Sequence, residues 1–466
     1  MTIGEDTLYL SVRELAKLIE ARKLSPVELT EAYLRRSETL GRQLNAYVTI
    51  TRERALAEAR EAEHEIDAGK YRGLLHGIPY AAKDLLAAKG YPTTWGAKPF
   101  ANQVFDRDAN VIRRLKDAGA ILICKAAMIE LAGGMGYRYG TASLTGGAKN
   151  PWNTTCWTCG SSSGSGAIVS AALAAFAIGS ETWGSILCPS TYAGIAGMRP
   201  TFGLVGRSGA MALSYSMDKI GPMARTAEDC AIVLAAIAGH DLDDKGSLRD
   251  AKFTPAAAET TLRLGYVNAF PDAKPDIVKN TNAALAVLRA AGHSIAEVKL
   301  PEGPWEVAAG VTIQAECATA FDTLIASGRV QELSDPGSRI GGYINETVNA
   351  ADYLRAQRLR GILQRKMAEL LAPYDALVAA SLPMAATPLE ANLEEVFNFS
   401  DPLGGIGNFC GLPAITVPSG LTSDGLPTGI QFVGRAFGDA DVIRAAMSYT
   451  RSARPSSPHT TRRPPV

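Results

Sequence analysis

The segment Cys159-Gly-Ser-Ser-Ser-Gly-Ser-Gly166 runs into Ala167-Ile-Val-Ser-Ala-Ala-Leu-Ala-Ala-Phe-Ala-Ile178 and then into Gly179-Ser-Glu-Thr-Trp-Gly-Ser-Ile-Leu-Cys-Pro189. Between Lys149 and Glu181 no residue carries a charge. Two loops of glycine and hydroxyl side chains therefore bracket an apolar run. That run is shorter than the roughly 20 residues a membrane span requires and lacks interfacial anchors, so it reads as a small-residue helix buried in a core. Glycines let a backbone turn tightly or approach a ligand, and serines supply nucleophiles, proton relays or turn hydrogen bonds.

The chain around this segment alternates. Short apolar runs between Gly and Pro, as in Gly77-Ile-Pro-Tyr-Ala-Ala-Lys83 and Ala118-Gly-Ala-Ile-Leu-Ile-Cys124, are separated by helix-like stretches such as Ala109 to Lys116. Further strand-like runs cover Leu262 to Val267, Asp375 to Ala380, Ala414 to Val417 and Gly429 to Val433. This texture is that of an α/β protein. The first seventy residues read as helices, because Ser11-Val-Arg-Glu14 and Ser25-Pro-Val-Glu28 fit the capping box and Leu15, Leu18 and Ile19 recur at helical spacing. No long linker interrupts the body. We expect one domain, with a helical arm over 1–70, a catalytic body over 71–451 and a loosely held tail over 452–466.

Composition removes several functions. Lys plus Arg (47) equals Asp plus Glu (47), so no basic field exists to gather nucleic acid. Met1 to Leu10 carries Glu5 and Asp6 and no basic region, so a cytoplasmic protein without membrane attachment is expected. Seven scattered cysteines in such a chain argue for free thiols. Cys156 and Cys159 form a lone CxxC without a second pair, and the five histidines show no ligand spacing, so neither a metal nor a cofactor is expected.

Three chemistries compete for the Ser-rich loop. A phosphate cradle lacks the P-loop lysine and the third glycine of a dinucleotide fingerprint. A nucleophile elbow, Gly160-Ser-Ser162-Ser-Gly164, needs a downstream acid and histidine, for which only His240, His293 and His459 are available.

The third joins distant segments. Cys159 to Ala167, Gly179 to Pro189 and Gly194-Ile-Ala-Gly-Met-Arg-Pro-Thr-Phe-Gly203, together with Gly77 to Asp84 and Asn150-Pro-Trp-Asn153, resemble the amidase signature family. Gly221-Pro-Met-Ala-Arg-Thr-Ala-Glu-Asp229 and Gly411-Leu-Pro-Ala-Ile-Thr-Val-Pro418 extend the likeness. The resemblance implies a single large domain with a central twisted mixed β-sheet covered by helices on both faces. It implies Lys83 as base, Ser161 as a bridging serine on a cis peptide and Ser185 as nucleophile, with an oxyanion hole from the backbone around Thr182, Trp183 and Gly184.

Such a site suits amide chemistry, because an attacking serine must lose a proton and the leaving nitrogen must gain one. A lysine serves as base only when neutral, which requires burial or neighbouring positive charge. The sequence departs from the family at Trp183, where a glycine is usual, and at Leu187, where arginine is usual. The indole either walls the acyl pocket or packs behind the loop. Leu187 removes one means of holding a substrate carboxylate.

For substrate, the family implies a small-molecule amide, carbamate or ester, acted on by a monomer or homodimer. Leu131 to Tyr139 is the expected pocket wall, with Gly134 and Met135 as its first candidates; with Trp183 and Tyr137 they suggest an apolar, aryl-accepting site. The alternative is a glutamine-hydrolysing A subunit of a tRNA-dependent amidotransferase.

Overall fold

A computed structural model describes residues 3–255, 261–453 and 463–466. Its thirteen strands are β1 (Tyr47–Ile50), β2 (Pro79–Lys83), β3 (Ile121–Ala126), β4 (Lys149–Asn150), β5 (Asn153–Trp157), β6 (Phe176–Glu181), β7 (Ala196–Arg199), β8 (Lys219–Ala224), β9 (Arg263–Tyr266), β10 (Ser294–Glu297), β11 (Ala376–Ala380), β12 (Ala414–Leu421) and β13 (Pro427–Val433). Eleven form one sheet in the order β1-β3-β2-β6-β8-β7-β12-β13-β11-β9-β10, and β4 pairs with β5 apart from it. The sheet is mixed: β2 runs parallel to β3 and β6, whereas β8 runs antiparallel to β6 and β7. Every residue of β2, β3, β8 and β13 is buried. Strands buried on both sides need cover on both faces, which the sixteen α-helices among the described residues provide. The molecule is a single α/β domain, as expected.

The local signals mostly carry through. Ser11 and Glu14 make the full capping box at the helix Val12–Glu20, and Ser25 caps Pro26–Arg36. The first seventy residues are not purely helical, because Tyr47–Ile50 pairs with β3 as an edge of the main sheet. The apolar run differs more. A helix occupies Ser163–Ser170, the chain turns through Ala172 at φ +50°, and Phe176 begins β6. Ladder pairing of β6 with β2 and β8 overrides helix continuation there, and a short apolar run has no period that separates the two states. Most of the expected tail, 454–462, lies outside the described residues.

The cysteine expectation needs correction. Cys159 and Cys188 form a disulfide, while Cys124, Cys156, Cys230, Cys317 and Cys410 are free and buried. The two partners lie 29 residues apart in sequence but face one another across the paired loops. Among the described residues no helix is long and apolar enough to cross a membrane, and no cluster of three or more His, Cys, Asp or Glu could hold a metal ion.

Candidate active site

The site forms where β2 and β6 end. Lys83 closes β2, fully buried in the middle of the sheet, and its Nζ donates to Ser161 Oγ at 2.6 Å and to Ser180 Oγ at 3.0 Å. Burial pulls the Lys83 ammonium down to about 7, against the opposing charges of Asp218 and Glu181. Ser161 follows a cis peptide bond with Gly160, and its carbonyl accepts from Ile129 N–H at 3.2 Å.

The neighbouring Ser162 is engaged elsewhere. Its hydroxyl donates to Ser180 O at 3.2 Å and accepts from Ser180 N–H at 3.3 Å, while its N–H donates to Ser185 O at 3.3 Å. Among the described residues no histidine hydrogen-bonds it: His293 bonds Ser448, and His459 lies outside the described residues. The structure thus brings Lys83 to Ser161 and the Ser161–Ser162 turn to Ser185.

Ser185 is 8% exposed, in a turn that follows Gly184 at φ +78°, a backbone conformation that glycine adopts without strain. Among the described residues, no protein acceptor engages the N–H groups of Thr182, Trp183, Gly184 or Ser185.

Three carboxylates hold this turn, and the sequence reading missed all three. Glu181 Oε2 accepts from Ile186 N–H at 2.8 Å and Leu187 N–H at 3.0 Å. Its other oxygen accepts from Arg199 at 2.8 Å and Asn408 at 3.1 Å. Burial pushes the Glu181 carboxyl up, but Arg199, Lys219 and the Leu187 N–H together outweigh it and the net shift is downward. Asp218 accepts from Thr182 Oγ1 at 2.6 Å and from Leu213 and Ser214 N–H, while burial lifts its pKa. Asp401 accepts from Trp183 Nε1 at 2.9 Å. The one available signal was Glu181 itself, a charge ending an uncharged stretch, since a buried charge requires partners.

Trp183 packs against the helix Pro402–Cys410, where a Cβ on Gly405 would come within 2.9 Å of the indole. Leu187 joins a buried apolar cluster with Met217, Ile406 and Phe409.

Gly134 and Met135 lie further off. A Cβ on Gly134 would stand 2.0 Å from Leu213, whose own N–H bonds Asp218, so Gly134 reaches Thr182 through two intermediates. Met135 is buried with its sulfur against Gly342. Tyr137 stands nearer, its hydroxyl close to Gly160 and its ring edge-on to Trp157. A cavity of about 180 Å³ opens beside Ser180 and Thr182, lined also by Met211, Leu213 and Asp218.

This fold and family place the chain among hydrolases of carbon–nitrogen bonds other than peptide bonds. It belongs to the amidase family, whose sequence profile matches residues 28–443. The chain is 33% identical to the A subunit of the glutamyl-tRNA(Gln) amidotransferase of Agathobacter rectalis, over 96% of this chain and 94% of that one. It is similar to the crystal structure of the peptide amidase of Stenotrophomonas maltophilia, with a TM-score of 0.84, 31% identity and coverage of 98% of both chains. The A subunit of the Thermotoga maritima glutamyl-tRNA(Gln) amidotransferase superposes with a TM-score of 0.77 at 26% identity, covering 98% of this chain and 97% of that one.

Proposed function

We propose that this chain hydrolyses the C–N acyl bond of a small apolar or aryl amide through a Ser185 acyl-enzyme. Lys83 is the base and Ser161 the proton relay. The observation that carries the reading is the buried Lys83, lowered to about 7 and 2.6 Å from Ser161 Oγ.

In the first half-reaction Ser185 Oγ attacks the acyl carbon and its proton passes to Ser161, whose own proton passes to neutral Lys83. Charge develops on the carbonyl oxygen, which the N–H groups of Thr182, Trp183 and Gly184 receive; one such donor is worth about 3 kcal/mol of barrier. When the tetrahedral adduct collapses, the proton returns through Ser161 to the departing nitrogen and the C–N bond breaks. Water then takes the place of the amine, and the same relay runs again to free the acid and Ser185.

The apolar preference rests on two features. Glu181, Asp218 and Asp401 are all engaged by protein donors, so none is free to meet a substrate ammonium. Met211, Leu213 and Ile220 give the cavity beside the turn an apolar wall, with Arg207, Asp243, Asp244 and Lys245 also lining it, and Leu187 packs in a buried apolar cluster. Carbamates and esters present the same acyl carbon and belong to the same expected range.

The similarity to amidotransferase A subunits favours a second reading, in which the chain releases ammonia from glutamine for a partner. A hydrolysis screen of the purified chain over aryl amides, aliphatic amides, carbamates and glutamine separates the two. Turnover of aryl amides without partners supports the first; glutamine turnover alone, or only with added partner proteins, supports the second. Loss of all turnover in Ser185→Ala is expected either way, and retained turnover would overturn the nucleophile.

A further inference from the structure

The two loops of the site are joined by a bond that this chemistry does not consume. Cys159 stands two residues before Ser161 and Cys188 three after Ser185, and their disulfide closes with the Cα atoms 5.8 Å apart. Both cysteines are buried, at 3% and 6% exposure. The two segments also pack, Gly166 against Pro189, but few main-chain hydrogen bonds join the loops themselves. Among the described residues, one main-chain hydrogen bond connects residues 159–163 with 182–188, Ser162 N–H on Ser185 O, and it is long at 3.3 Å. The other anchors lead elsewhere, Ser161 O to Ile129 and the N–H groups of Ile186 and Leu187 to Glu181. Cys159 also sits among Trp157, Tyr192 and Ile129, so the bond fixes Cys188 and the start of the helix Leu187–Ala193 to a packed cluster.

We propose that the Cys159–Cys188 disulfide is a positioning bond that sets the Ser161 loop against the Ser185 loop, so that kcat depends on its oxidation state. The inference rests on reading Ser161 as relay and Ser185 as nucleophile. Proton transfer demands hydrogen-bond reach, and a misplacement of about 1 Å at a reacting group costs up to about a hundredfold in rate. Reduction by a dithiol proceeds by attack of its thiolate on one cysteine sulfur, and the other sulfur leaves with the electron pair and takes a proton. The second thiol then resolves the mixed disulfide, so two electrons and two protons reach the protein and the dithiol leaves oxidised. A disulfide persists in oxidising compartments. In a reducing cytosol this enzyme therefore works below its capacity.

The test uses the full chain produced in an oxidising compartment. Thiol titration of the denatured, unreduced protein is expected to find five thiols, and seven would overturn the proposal. Cys159→Ser, Cys188→Ser and the double variant should each lower kcat about tenfold, with KM within about twofold of wild type. The double variant should be no worse than either single one, because each removes the same bond. Unchanged kcat, or losses that add, would overturn it. Reduction of the wild type by tris(carboxyethyl)phosphine should reproduce the loss and reoxidation restore it, an arm that stands even where a variant fails to fold. Ser185→Ala separates the two failures: if it retains turnover the catalytic reading fails, whereas if it is inactive and disulfide removal costs nothing, the positioning role alone fails.

Discussion

The Trp183 indole N–H donates to Asp401 Oδ2 at 2.9 Å, while Asp401 Oδ1 caps the helix Pro402–Cys410 by accepting from Gly404 N–H at 3.1 Å. One buried carboxyl thus ties the residue two before Ser185 to a helix more than two hundred residues away. Burial pushes the Asp401 carboxyl up to about 6, against the Trp183 and Gly404 hydrogen bonds. A raised carboxyl contributes stability that is complete below the unfolded value near 4 and is lost as pH rises through about 6. Asp401→Asn is expected to flatten the pH dependence of unfolding free energy between about pH 4 and 6, by up to about 3 kcal/mol. Urea unfolding of both proteins across that window measures it, and parallel curves would show that Asp401 does not titrate there.

The pH dependence of turnover points the other way. Lys83, lowered to about 7 by burial, accepts a proton only in its neutral form. Activity should therefore fall as pH drops through about 7, with one acid limb in kcat/KM. Lys83→Arg should lose activity at every pH, because a guanidinium keeps its proton, and Lys83→Ala should lose most of it. Ser161→Ala is expected between Lys83→Ala and the inactive Ser185→Ala, because every proton passes through its hydroxyl. An acid limb near 4 instead would assign the base to a carboxylate.

Much of this was readable in the chain. Lys83, Ser161 and Ser185 stand in segments whose residue types match a family pattern, and the strand-like runs at Leu262, Asp375, Ala414 and Gly429 all became strands. The supporting groups were not readable. Asp401 and Trp183 are joined only by the fold, as are Asp218 and Thr182, and no local period marks a hydrogen bond that spans the chain. The disulfide was missed for the same reason: cysteine count and compartment say nothing of two loops meeting. Ala171 to Ile178 failed differently, since an alanine-rich run obeys whichever neighbour claims it, here the β2 and β8 ladders.

Glu181 tests how the turn is held. Its side chain and that of Arg199 are both fully buried and paired at 2.8 Å. Removing one member of such a pair leaves the other charge uncompensated, which costs about 3–5 kcal/mol. Glu181→Gln keeps the shape and one acceptor for Ile186 N–H but strands Arg199. Denaturant unfolding should show a loss of that order. In enzyme that remains folded, kcat should fall because Ser185 sits between Glu181 and the N–H groups it holds. A variant of wild-type stability would mean that Arg199 finds Asn408 or water instead.

Gly134 tests the pocket wall at a distance from the chemistry. A Cβ there would meet Leu213 Cδ1 at 2.0 Å and Cys317 Sγ at 2.8 Å, so Gly134→Ala must displace the Leu213 side chain. Leu213 lines the cavity beside Thr182, and its N–H bonds Asp218, which in turn holds Thr182. Because the flexible end of a leucine gives way more readily than backbone, the change should alter the cavity before it alters the turn. The expected result is a KM raised several-fold for bulky acyl groups, about 1 kcal/mol of lost binding, with kcat for the smallest amide nearly unchanged. A uniform fall in kcat across acyl size would instead mean that the displacement travels through Asp218 to the N–H donors, placing Gly134 in the support of the turn rather than in the wall.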